Sequence, residues 1–394
     1  MKKVLIYYRY FGKTLGGGEF LPLTFIAELQ SQCEVTLALD WTDNFEQAVD
    51  FFGIPIDVSK VKLVKVMPKN FHGTTNNRWL SFYRFLKLRK LAKTADICIS
   101  MANIMDFGKP ANHFLITLDV GDPDFCDFLK NRTHSGKCSR RSSLKQFFNT
   151  VLRHLLGMRS KREIFHDPRE RIFPNSRFVN DLLVDFYGAS STEVFYPPTI
   201  FEFPPAHAAR DPLKVVYLGR VAPSKRIEDI ISVVKLARER SGEDLTLDIT
   251  GHVTPEYLKK LNSIFSGCTW IRFNGPVHGQ AKADFLLSGS FAVHSLRSEA
   301  FGISITEYLK AGLIPVVPDE GGACEVAGNP ELSFRSIDEA ADILVKLLKD
   351  PDFRKRQSLY CAKRAELFSK QHYLENQHRL LTEILNAGVS KDAQ

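Results

Sequence analysis

Along the chain, short apolar runs alternate with stretches whose apolar residues recur at helical spacing. Residues 3–8 (KVLIYY) are continuous enough to be a buried strand, and GKTLGGGEF follows. LPLTFIAELQSQ then has helical spacing, and EVTLALD reads as a second strand. This βαβ opening continues through strand candidates KLVKVM (62–67), DICISM (96–101), HFLITLD (113–119), RIFPNS (171–176) and STEVFYPP (191–198). Strands alternating with helices predict an open parallel α/β sheet.

The alternation stops where Pro197, Pro198, Pro204, Pro205 and Pro212 crowd together and forbid regular structure. It then restarts: LKVVYLGR as strand, RIEDIISVVKLARER as helix, LTLDITG as strand, YLKKLNSIF as helix and WIRFNG as strand. FAVHSL, a helix closed by Gly312, and LIPVVP complete the series, and the chain from Ile337 onward reads as helical. The pattern predicts two Rossmann-like domains, 1–198 and 213–370, joined by a Pro-rich linker at 199–212. Residues 371–394 are expected to form a helix crossing back to the first domain. A length of 394 residues suits two cores of ordinary size. No internal period of 20–50 residues is visible, which argues against a solenoid.

Composition narrows the functional classes. With 44% hydrophobic and 25% charged residues the chain is of the globular kind, and no segment approaches the roughly 20 apolar residues that span a bilayer. The start, MKKVLIYYRYFGK, is broken by Tyr, Arg and Lys and reads as a first strand rather than a signal peptide. Seven scattered cysteines and no zinc-ligand spacing imply a reduced, cytoplasmic protein without a structural metal. The eleven histidines form no metal-binding cluster, so no metal or bound cofactor is expected.

The net charge of +8 lies wholly in the first half, where residues 1–200 hold 28 Lys plus Arg against 20 Asp plus Glu. Two windows, 58–95 and 128–162, each hold ten basic residues and no acidic one. Within them, 78–93 and 143–162 interleave aromatic and leucine residues with Lys and Arg as amphipathic helices do. Such helices suit the anionic inner face of a membrane. The same runs also fit ordinary core stripes with a solvated basic face. A nucleic-acid partner is not expected, because no reader motif accompanies the charge.

Two blocks carry the chemistry. The first, HSLRSEAFGISITEYLKAGLIPVVPDEGGACEVAG (294–328), places Glu299 in a turn after a strand and Glu307 about one turn into a helix that starts near Gly302. A helix start offers N–H groups to an anion, and a carboxylate at Glu307 is able to accept bonds from two vicinal hydroxyls. The same spacing fits a capping box between Ser304 and Glu307, with Glu299 a solvated acid. The second block, VVYLGRVAPSKRIEDII (215–231), sets Arg220 and Lys225 at the end of a strand, beside a helix start. That arrangement suits a diphosphate, although it is also compatible with an ordinary basic loop.

Together the blocks resemble a retaining glycosyltransferase of the GT-B fold in family 4, the glycosyl transferases group 1, most sharply over 215–328. The resemblance implies two parallel-sheet domains facing an interdomain cleft that closes about the linker, the first binding acceptor and the second donor. It implies that Arg220 and Lys225 hold the donor diphosphate, Glu299 faces the donor sugar and Glu307 holds the ribose. Backbone groups of Phe301, Gly302 and Ile303 are implied to reach sugar and phosphate. Phe273, Asn274, Gly275 and Val277 would lie along the base, with Gly219 and Gly251 closing neighbouring strands. In the first domain Gly16, Gly17 and Gly18 resemble a glycine loop over the diphosphate.

Where many members place a catalytic histidine this chain has Leu118 and Asp119, so Asp119, or else Asp122, is expected to contact the sugar, and His113 and His166 to be structural. The implied reaction moves a hexose from a nucleotide sugar to a hydroxyl of a glycan or lipid-linked glycan by metal-independent front-face substitution. The GGGE loop and the YPP segment resemble mannosyltransferases, which favours GDP-mannose ahead of UDP-sugars. A sugar-nucleotide epimerase or a noncatalytic sugar-nucleotide-binding partner of the same fold are the other readings these residues leave open.

Overall fold

The computed structural model describes residues 1–12, 15, 17–68, 78–117, 122–133, 151, 153–188, 193–201, 203 and 210–387. The chain divides into two compact units, 1–197 with 374–394, and 198–373.

The first unit runs β1 (Lys2–Tyr8), α1 (Gly17–Leu29), β2 (Cys33–Leu39), α2 (Phe45–Phe52), β3 (Val61–Lys65), α3 (Arg78–Ala92), β4 (Ile97–Ser100), β5 (Asn112–Leu115), α4 (Pro123–Thr133), α5 (Lys161–His166), β6 (Arg171–Pro174) and α6 (Arg177–Tyr187). All its strand pairs are parallel, in the order β3-β2-β1-β4-β5-β6. Because parallel strands are covered on both faces, β1 is apolar almost throughout, with Val4 to Tyr8 all buried. Phe114 on β5 stacks on Phe173 of β6 at 4.6 Å and meets Phe25 of α1 edge-on at 4.9 Å.

The second unit repeats the plan with β7 (Lys214–Leu218), α7 (Ile227–Ser241), β8 (Thr246–Thr250), α8 (Pro255–Ile264), β9 (Ile271–Phe273), α9 (Gly279–Ser288), β10 (Phe291–Val293), α10 (Ile303–Lys310), β11 (Ile314–Pro318), α11 (Gly322–Ala327) and β12 (Ser333–Phe334). Helices α12 (Ile337–Lys349), α13 (Pro351–Ala365) and α14 (Lys370–Ala387) follow, and the strand order is β12-β11-β10-β7-β8-β9. Helix α7 illustrates the local logic. Glu228 and Asp229 sit in its first turn, Arg238 and Arg240 in its last, and a left-handed Gly242 ends it, each suiting the helix dipole or the C-cap. Its stripe of Ile227, Ile230, Ile231, Val233, Val234 and Ala237 is buried.

In both sheets the order reverses beside the first strand, between β1 and β4 and between β7 and β10. Such switch points open a crevice at the carboxyl ends of the strands, where α/β proteins bind ligands.

Some expectations need correction. STEVFYPP is not a strand: of its described residues, Phe195 donates to the Pro174 carbonyl at 2.8 Å, and Pro197 and Pro198 have no N–H to extend a ladder. The strand expected at 113–119 occupies Asn112–Leu115, and the two-residue β12 was not foreseen. Helix α3 confirms a helix at 78–93, whereas 143–150 and 152 of the second expected helix lie outside the described residues.

Candidate functional site

The second sheet's switch point brings both blocks together. As the chain leaves β7, Leu218 N donates to the Tyr308 hydroxyl of α10 at 2.7 Å and the Tyr217 hydroxyl donates to the Arg220 carbonyl at 3.1 Å. Residues Pro223–Lys225 form one tight 3₁₀ turn, and Arg226, in the left-handed region at φ 51°, turns the chain into α7. From the end of β10 the Ser295 hydroxyl reaches the carbonyls of Lys225 and Arg226, 2.9 Å from each. The basic loop is thereby held from the neighbouring strand.

Beyond Ser295 the turn delivers Glu299 to the same place, and the Lys225 ammonium pairs with Glu299 Oε2. His294 Nε2 stands 3.5 Å from that oxygen; the ring is 3% exposed and neither of its nitrogens has a hydrogen-bond partner among the described residues. Burial alone would raise the Glu299 carboxyl, but His294 and Lys225 outweigh it and hold it at about 2. Arg220 is exposed and makes no ion pair among the described residues, so its guanidinium is available to a diphosphate.

Gly302, at φ 96°, is the N-cap of α10, and Phe301 turns its side chain into the core against Phe368 at 5.7 Å. As at any helix start, the first N–H groups of α10 have no acceptor within the helix. The capping-box alternative is not realised. The helix begins before Ser304, no side chain caps it, and Glu307 instead pairs with Lys282 of α9 at 2.6 Å.

The neighbouring strand ends come very close. A Cβ on Gly251 would stand 1.8 Å from the Gly219 carbonyl oxygen, and Gly251 N donates to the Gly275 carbonyl at 2.9 Å. With Asn274 N bonded to Ile249 O at 2.9 Å, the loop of Asn274, Gly275 and Val277 after Phe273 is fixed beside β8. Across the site, Gly322 N donates to the Glu299 carbonyl at 2.7 Å. Cβ atoms on Gly321 and Gly322 would lie 2.1 Å from Arg297 O and 2.4 Å from Ala300 O.

Arg220, Lys225, Glu299, Glu307 and the glycines 219, 251, 275 and 302 thus share one edge of one sheet. Gly17 and Gly18 instead open α1 in the first unit, at the carboxyl end of β1. Gly16 and Asp119 lie outside the described residues. Asp122 accepts from Asp124 N at 3.0 Å and from the Tyr187 hydroxyl at 2.7 Å, so its oxygens are engaged at the start of α4. His113 is fully buried, 2.9 Å from Glu170, and His166 bonds the Tyr187 carbonyl. Sequence reasoning missed Ser295, Tyr308, His294 and Lys282; only Ser295 and His294, adjoining the Glu299 turn, carried any local signal.

Two parallel six-stranded Rossmann-like units in one chain define the GT-B class of fold. Residues 200–364 match the family model described as glycosyl transferases group 1. The chain is 26% identical over 159 residues to an uncharacterized glycosyltransferase of Bacillus subtilis, YqgM, covering 39% of this chain and 44% of that relative, so it spans less than half of it. Among solved structures, sucrose-phosphate synthase from Thermosynechococcus elongatus superposes with a TM-score of 0.69 at 14% identity, over 98% of this chain and all of that one. Anabaena HepE, in complex with UDP-glucose, superposes with a TM-score of 0.63 at 14% identity, over 97% of this chain and all of that one.

Proposed function

We propose that the chain is a retaining glycosyltransferase that binds a nucleotide sugar in its second unit and moves the hexose to a hydroxyl of a glycan or lipid-linked glycan. The observation that carries this reading is the meeting of Arg220, Lys225, Glu299 and Glu307 at the switch point between β7 and β10. In this reading Arg220 and Lys225 neutralise the diphosphate as it departs, and N–H groups at 302–303 add to that stabilisation. The leaving phosphate takes the proton of the acceptor hydroxyl attacking on the same face, so neither a covalent nucleophile nor a metal is required. Glu299, ionised throughout the neutral range, faces the sugar and Glu307 grips the ribose. Mannose from GDP-mannose is the favoured donor. Thermal shift against UDP-, GDP- and ADP-sugars should single out one nucleotide with a rise of several degrees. No stabilisation by any of them would sink the donor-site reading.

A membrane-bound acceptor is favoured by α3. Its inner stripe of Phe82, Phe85, Leu88 and Ala92 is buried, while its outer face exposes Trp79 (67%), Tyr83 and Leu86 beside Lys87, Lys90 and Lys93. Aromatic and aliphatic side chains beside ammonium groups suit an anionic bilayer surface, each cation contributing about 1 kcal/mol. The protein is expected to float with vesicles containing anionic lipid and not with neutral ones, and Trp79→Ala with Lys87→Glu should abolish flotation. Equal recovery in the soluble fraction with both vesicle types would eliminate this reading. No helix is long and apolar enough to cross a membrane among the described residues.

A further inference from the structure

Glu307 is 8% exposed, and its surroundings leave one oxygen engaged and one open. Oε1 accepts from Lys282 Nζ at 2.6 Å, whereas Oε2 makes no hydrogen bond among the described residues. Lys282 is itself restrained, because its ammonium lies 4.8 Å from the centre of the Phe201 ring, a cation–π contact. It is the fourth residue of α9, the helix that starts directly after the loop of Asn274, Gly275 and Val277. One ammonium therefore ties the carboxylate of α10 to the helix behind that loop and to an aromatic face, with only a fifth of its side chain exposed.

We propose that Lys282 is the positioning residue for nucleotide recognition. It pins Oε1 of Glu307 so that Oε2 is presented to the vicinal hydroxyls of a ribose, whose O–H groups donate to the acceptor capacity that Lys282 leaves open. The proposal rests on the reading of Glu307 as the ribose carboxylate. A long acidic side chain on a helix otherwise swings among rotamers, and ordering it only when ligand arrives weakens binding. An ion pair already fixed by an aromatic face removes that cost. Lys282 touches no reacting atom, so its effect belongs in donor binding rather than in turnover.

The test compares UDP and GDP with their 2′,3′-dideoxy forms, by calorimetry, on the wild type, Lys282→Met, Lys282→Arg and Glu307→Gln. Methionine keeps an unbranched stem over Phe201 and removes the charge. The wild type is expected to prefer the ribonucleotide to its dideoxy form by about tenfold or more, one charge-assisted hydrogen bond's worth. Lys282→Met should lose most of that preference and raise KM for the nucleotide sugar by a similar factor, with kcat within about twofold. Lys282→Arg should recover much of it, and Lys282→Met should melt lower, because it strands the Glu307 carboxylate, while staying folded at the temperature of the binding assay. A merely structural lysine would weaken both ligands equally. The inference is overturned if Lys282→Met keeps the full preference, or binds the ribonucleotide more tightly, as it would if Lys282 only competed for Glu307. A wild type that binds nucleotide without preferring ribose would bring down the Glu307 reading and this inference together; one that binds no nucleotide would bring down the donor site itself.

Discussion

Lys225→Ala is expected to lower kcat/KM for the nucleotide sugar by about 10²–10³-fold, the range seen when one preorganised group facing developing charge is removed. Lys225 is the ammonium that Ser295 and the 3₁₀ turn hold against Glu299. Without bound donor the two charges neutralise each other. In the proposed reaction a donor diphosphate shares that ammonium, so the cation is already in place when negative charge builds on the leaving group. The variant should stay folded, because Lys225 lies on a surface turn rather than in the core. Its pH behaviour carries a second signature. The Glu299 carboxyl is held at about 2 against an ordinary 4.5, so its stabilising contribution is present above pH 4.5 and lost as pH falls toward 2. Without Lys225 the folded-state value rises, and that window narrows from below. Product release measured on variant and wild type, beside circular dichroism across pH, checks both effects. Turnover within tenfold of wild type would exclude Lys225 from the reaction.

Arg84→Met should cost the first unit about 3–5 kcal/mol of stability, the usual result of stranding one half of a buried ion pair. Asp40, at the end of β2, is 1% exposed. Arg84 of α3 meets both its oxygens at 2.8 Å in a two-pronged contact, and the Tyr7 hydroxyl of β1 donates to it at 3.0 Å. Burial pushes the Tyr7 phenol upward, so it stays protonated and able to donate. Arg9, 3.8 Å away with 41% of its side chain exposed, is too loosely placed to take over. Replacing Asp40 by Leu in the same chain should recover a large part of the loss, because no isolated buried charge then remains. Urea unfolding of the three proteins tests this. A loss under about 1 kcal/mol in Arg84→Met would mean that Arg9 carries Asp40's charge.

Much of the architecture was readable in the sequence, because a parallel sheet covered on both faces writes its strands as unbroken apolar runs. KVLIYY and LKVVYL announce β1 and β7 without ambiguity. STEVFYPP misled because its apolar residues pack as an extended segment while its prolines withhold the ladder, and composition alone does not separate the two. The donor-site candidates were legible because each sits just past a strand, at a loop whose glycines and charges are conspicuous. Lys282 was not, for a topological reason. It meets Glu307 from a helix 25 residues upstream, across a sheet order that reverses at β7 and β10, and nothing in local spacing encodes that meeting. The approach of Gly321 and Gly322 to the Glu299 turn was hidden in the same way, since a pair of glycines looks the same whether it is slack or wedged.

That wedge has a bearing on how the site can change. The Glu299 turn is seated on α11 by main chain against main chain, with Gly322 N on the Glu299 carbonyl and no side chain between. Under the proposed function, an exchange at Ser298 therefore alters the surface beside Glu299 while main chain keeps the carboxylate's address. If the proposed function holds, a chain built this way is able to drift from one donor sugar to another by small steps, without first losing Glu299.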